Sequence, residues 1–122
     1  MTIDEFDPTF FTLTAMDDVV IAEFTQSRLS DDENIEQLGH ELFSLIDQFG
    51  CRKLVLDLEE VTYATSSALG KLITAHRKMH RSDGTLVLCH LTPGMEDILR
   101  SSRLVNYFTI ADDVDAAVTL LG

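Results

Sequence analysis

Hydrophobic and polar positions fall into two short runs near the start of the chain, Thr9–Thr14 and Val19–Phe24. Met16-Asp17-Asp18 lies between them, and period-two character across so short a connection predicts an antiparallel hairpin. The period then changes. Ser30-Asp31-Asp32-Glu33 reads as a capping box, with Ser30 as N-cap and Glu33 three residues on. Ile35, Leu38, Leu42, Leu45, Ile46 and Phe49 follow at 3.6-residue spacing, a helix that Gly50 is placed to end.

Leu54–Leu58 is a short apolar run, the form of a buried strand. An amphipathic helix comes next, with Leu69, Leu72, Ile73 and Met79 as its stripe, closing at Asp83-Gly84. Thr85–Cys89 is another strand. Thr92-Pro93 reads as an N-cap followed by proline at the first helical position, ahead of Met95, Ile98 and Leu99. A short strand at Tyr107–Ile110 and a helix from Asp112, carrying Val114, Ala117, Val118 and Leu121, complete the pattern. The order β-β-α-β-α-β-α-β-α predicts an α/β fold in one domain over residues 1–122. It comprises a mostly parallel mixed sheet, an N-terminal antiparallel hairpin and four helices. Function in such sheets gathers beyond the carboxyl ends of the parallel strands, here Asp57 to Ser67 and His90 to Pro93.

Composition narrows the classes. The 122 residues are 45% hydrophobic and 25% charged, as in ordinary globular proteins. No apolar run approaches the roughly 20 residues that cross a bilayer. MTIDEFDPTFF carries acidic residues where a secretory signal would carry basic ones, so a cytoplasmic location is expected. Twenty-one acidic against nine basic side chains give a net charge of −12. Such a surface repels phosphate backbones and anionic membranes, which argues against nucleic-acid binding and membrane insertion. It suits solubility or a basic protein partner. Cys51 and Cys89, offset by roughly four residues on adjacent parallel strands, would stand about 13 Å apart, too far for a disulfide. Without a CxxC they also make no zinc site, and both read as small core hydrophobes. Phe6, Phe10 and Phe11 fit either a core or a dimer surface, so the oligomeric state is open.

Ser66 and Ser67 stand where the amphipathic helix begins. Free N–H groups and the helix dipole make that place ready for a phosphate. With Ser66 as N-cap, Ser67 occupies the first helical position with its side chain free to point outward. The plainer reading is a Ser-Ser helix cap. Asp57, Glu59 and Glu60 form an acidic group before the loop; Asp57 is expected to satisfy nearby backbone N–H groups and the glutamates to be solvated. A receiver-type phosphoaspartate site fits poorly, since Asp17-Asp18 lie in a hairpin and no lysine follows Lys78. His76 and His80 have the i, i+4 spacing of metal ligands. Lys71, Arg77, Lys78 and Arg81 around them repel a dication, and no metal or other cofactor is expected. The same cations form the main basic patch. A hydrolase built on Ser67 and His90 lacks a G-x-S-x-G elbow, so no enzyme is expected.

The stretch Leu54–Lys78, with Leu86–Cys89 and Pro93–Leu104 after it, resembles the STAS domain of bacterial anti-sigma factor antagonists. The family's motif is a hydrophobic pair, then Asp-Ser-Ser/Thr-Gly-Leu-Gly. Here it stands as Tyr63-Ala64-Thr65-Ser66-Ser67-Ala68-Leu69-Gly70. The resemblance implies a partner-switching protein that binds a serine kinase doubling as an anti-sigma factor. Phosphorylation of a motif serine breaks that complex and a phosphatase restores it. By position Ser67 matches the phosphoacceptor, with Ser66 the alternative, and Thr65, Ser66, Ser67, Ala68 and Lys71 match the partner-binding surface. Thr65 replaces the family's Asp, and Ala68 replaces its Gly, adding a methyl where the partner is expected to approach. STAS domains also serve as non-switching scaffolds and as accessory subunits of signalling or lipid-transport complexes.

Overall fold

The computed structural model describes residues 8–30 and 32–122, the side chains of Asp32 and Glu33 excepted. Asp31 and the Glu33 side chain of the capping box, and Phe6, thus lie outside the described residues.

The hairpin forms as β1 (Phe11–Met16) and β2 (Val19–Phe24), antiparallel, with Met16 opposite Val19. The turn is Asp17-Asp18, and Asp17 takes the left-handed conformation, φ 56°, that such a tight connection demands. β1 begins two residues later than its apolar pattern suggests, for a specific reason. The buried carboxylate of Glu41, only 1% exposed, accepts the backbone N–H of Thr9 at 2.9 and 3.0 Å and of Phe10 at 3.1 Å. Those amides are therefore spent on a helix side chain instead of the strand ladder. Phe10 and Phe11 lie in the core, Phe11 with its ring 5.5 Å from that of Phe24.

β4 (Lys53–Asp57), β6 (Thr85–Cys89) and β7 (Thr109–Ala111) extend the sheet in parallel, in the order β1-β2-β4-β6-β7. β7 starts later than Tyr107 because the N–H groups of Tyr107 and Phe108 both turn back to the carbonyl of Leu104. Alternate residues of the central strands serve two cores. Leu54, Leu56, Leu86 and Leu88 face the larger core with α1 (Asp32–Asp47), α2 (Ser66–Arg81) and α3 (Pro93–Ser101). Val55, Val87 and Cys89 face a smaller one closed by α4 (Val114–Leu121). Burial on both faces explains why these strands read as unbroken apolar runs.

A second sheet, of two residues per strand, was not legible in the pattern. β3 (Arg28–Leu29) pairs in parallel with β5 (Tyr63–Ala64) and pins the loop ahead of α2. Thr62 donates to the Ser27 carbonyl through its N–H (2.8 Å) and its hydroxyl (3.1 Å), and the Thr65 N–H reaches the Leu29 carbonyl at 3.0 Å. Among the described residues no helix is long and apolar enough to cross a membrane. Cys51 and Cys89 are free and buried. Asp57 pairs with Cys89, so Cys51 lies six residues (57 − 51) down the neighbouring strand line from Cys89, a wider offset than the four expected.

Candidate functional site

The loop so pinned delivers the start of α2 to the surface. Thr65, not Ser66, is the N-cap: its backbone is extended (φ −78°, ψ 169°) and its Oγ1 accepts the Ala68 N–H at 3.3 Å. Ser66 and Ser67 are thereby the first two helical residues. Both are exposed, and neither hydroxyl makes a hydrogen bond among the described residues. The capping task that the sequence assigned to Ser66 is carried out by its neighbour, which frees both serines. No acidic residue lies in the first turn to repel an anion.

Ala68 is fully buried, on the same stripe as Leu69, Leu72, Ala75 and Met79, so its methyl packs into the core. Helical rotation decides this, because a step of 100° takes the chain from the exposed Ser67 to the sheet-facing side. Lys71 is engaged within the chain. Its Nζ lies 3.2 Å from Glu36 Oε1, and its stem runs so close to Gly39 that a Cβ there would meet Cδ at 2.8 Å. Next to the serines a groove of about 330 Å3 runs between α2 and α3, with Tyr63, Thr65, Ser66, Asp97 and Ile98 in its walls. Tyr63 is 37% exposed, and the Arg28 guanidinium sits 4.3 Å over its ring.

At the far ends of β4 and β6, Asp57 and His90 meet. Asp57 Oδ1 accepts the Glu59 N–H at 3.1 Å, as expected, and lies 2.9 Å from His90 Nδ1, a partner that spacing did not disclose. The hydrogen bond to Asp57 raises the His90 pKa above the ordinary histidine value, with the Asp57, Glu59 and Asp113 charges adding to it. Cys89 beside them is pushed up to about 12, first by burial and then by Asp57, Asp113 and Glu59. Glu59 and Glu60 are exposed. No hydrogen bond joins Ser66 or Ser67 to an imidazole among the described residues.

The basic patch on α2 shrinks in three dimensions. Lys71 and Lys78 pair with Glu36 and Asp47 of α1, which leaves Arg77 and Arg81 without ion pairs among the described residues. His76 behaves as an aromatic: its ring lies 4.8 Å from that of Tyr107 and edge-on to Phe108 at 5.5 Å. Its buried Nδ1 has no hydrogen-bond partner, and burial lowers its pKa.

Residues 7–117 match the STAS domain. The chain belongs to the STAS domain family. A Bordetella bronchiseptica protein, BtrV, designated an anti-sigma factor antagonist, is 33% identical over 84 residues, covering 69% of this chain and 72% of that one. The crystal structure of a Thermotoga maritima protein with the same designation superposes with a TM-score of 0.80 at 23% identity, covering 91% of this chain and 93% of that one. The phosphorylated form of the Bacillus cell fate determinant SpoIIAA gives 0.68 at 20% identity, over 90% and 98% of the two chains. At those identities the two structures speak to the fold alone. Within this STAS domain Thr65 takes the cap position of the motif, a role threonine and aspartate share.

Proposed function

We propose that this STAS domain is an anti-sigma factor antagonist-like signalling protein that binds a serine kinase acting as anti-sigma factor. Phosphorylation of Ser67 switches it off, a phosphatase restores it, and the domain itself catalyses nothing. The observation that carries the reading is the pair of exposed, unbonded hydroxyls at the first two positions of α2, released by the Thr65 cap. Charge separates the two serines. Ser66 lines the groove that also contains Asp97, which would oppose a phosphate, whereas Ser67 is not in its walls. Thr65, Ser66, Ser67 and Tyr63 form the docking surface; Ala68 and Lys71 act from behind it.

A phosphoserine brings about −1.5 to −2 charges. Moving a complex from micromolar to millimolar affinity requires about 4 kcal/mol. Forcing that charge into a desolvated contact supplies an effect of this order. The test is binding to the cognate kinase. Ser67→Ala is expected to bind as wild type and Ser67→Asp at least tenfold more weakly. Equal binding by both variants would leave a non-switching scaffold.

A further inference from the structure

We propose that Asp57, Cys89 and His90 form a binding site for one zinc ion, separate from the phosphoacceptor serines. Asp57 and Cys89 end β4 and β6 and stand opposite one another in the parallel register. Their side chains therefore leave the same face of the sheet. Strand alternation alone would send His90 to the opposite face. Instead its backbone turns left-handed, φ 54°, and the ring comes back over the strand end to lie 2.9 Å from Asp57 Oδ1. A positive φ is uncommon for a residue with a side chain, and such conformations gather at functional sites. Asp17, Asp83 and Arg103 share it, but they sit in the hairpin turn and directly after helices.

One donor atom from each of the three residues lies within 4.8 Å of the others. Tetrahedral zinc with bonds of about 2.0–2.3 Å holds its donors roughly 3.3–3.8 Å apart, a spacing that modest side-chain rotation reaches. An oxygen, a sulfur and a nitrogen are the donors zinc accepts, whereas calcium and magnesium take oxygen shells. The Glu59 N–H holds Asp57 Oδ1 and so fixes the carboxylate beside the His90 ring, with Oδ1 and Nδ1 2.9 Å apart. The charges acting on Cys89 and His90 are those of Asp57, Glu59 and Asp113, all favourable to a cation. Cys89 is fully buried, and the His90 side chain, 31% exposed, is the way in. On binding, zinc takes the place of the Cys89 thiol proton and of the proton between Asp57 and His90, both leaving to solvent. Water fills the fourth position.

The test uses the whole chain, reduced and stripped with a chelator, titrated with zinc alone by calorimetry and native mass spectrometry. Cobalt serves as the spectroscopic probe. One equivalent should bind, with a thiolate-to-cobalt charge-transfer band, and Cys89→Ser and His90→Gln should each weaken binding at least 100-fold. His90→Gln is the decisive variant because its partly exposed site tolerates the change; circular dichroism checks its fold. His80→Gln should bind as wild type. No stoichiometric binding, binding unchanged in His90→Gln, or binding lost in His80→Gln would each overturn the proposal. The first outcome would leave Asp57–His90 as an ion pair beside a core thiol.

Discussion

Thr65 decides what the two serines after it can do. Its Oγ1 holds the Ala68 N–H, so neither Ser66 nor Ser67 has to. Removing the cap by Thr65→Ala should cost about 1 kcal/mol of stability, while Thr65→Asp should hold it, because aspartate caps as well as threonine. Urea midpoints of the three proteins measure this; an unchanged midpoint in Thr65→Ala would mean the cap is idle. His76 makes a second prediction at this scale. Burial holds its folded pKa below the unfolded value, so the unfolded chain takes the proton first. Its contribution is thus fully present above the unfolded pKa of about 6.5 and is lost below it, as pH falls through the lower folded pKa. His90, with its pKa raised by Asp57, works in the opposite sense, which makes a comparison with a variant necessary. Between about pH 7.5 and about 5.5, stability should fall less steeply in His76→Phe than in wild type. Equal slopes in the two proteins would contradict the burial of a neutral imidazole.

Glu41 ties α1 to the chain entering β1. Its carboxylate takes the Thr9 and Phe10 amides and the Gln37 side-chain amide at 2.9 Å. Glu41→Ala should lower stability by about 2 kcal/mol, because it strands the buried Phe10 N–H and frees that of Thr9. Hydrogen exchange should show the Thr9 and Phe10 amides losing protection first; protection that persists would show that the tie is unimportant. This contact also marks what a sequence can disclose. The helices follow from the stripe each buries, and the central strands from apolar runs that are buried on both faces. Glu41 at an apolar-neighbour position of α1 gives no such sign, since its partners are backbone groups 31 and 32 residues away. The β3–β5 pair is invisible for another reason: two residues per strand carry no period. At the site, the serines were legible as a helix start. Which residue capped it was not, because Thr, Ser and Ser all cap well and only the loop's anchoring to Ser27 and Leu29 settles the register. The inward turn of Ala68 follows from its helical spacing to Leu72, Ala75 and Met79.

For the molecule as a whole, a sheet whose central strands are buried on both faces carries the exposed start of α2, on a chain of net charge −12. A phosphate at Ser67 meets free helix amides and no first-turn carboxylate, so the fold should survive modification intact. The change falls on whatever docks there. The most direct measurement is the intact mass, with site mapping, of this protein purified from its own cells across growth and stress. The account predicts the mass of one phosphate, mapped to Ser67 and varying with condition. Protein that stays unmodified at Ser66 and Ser67 in every condition would contradict it.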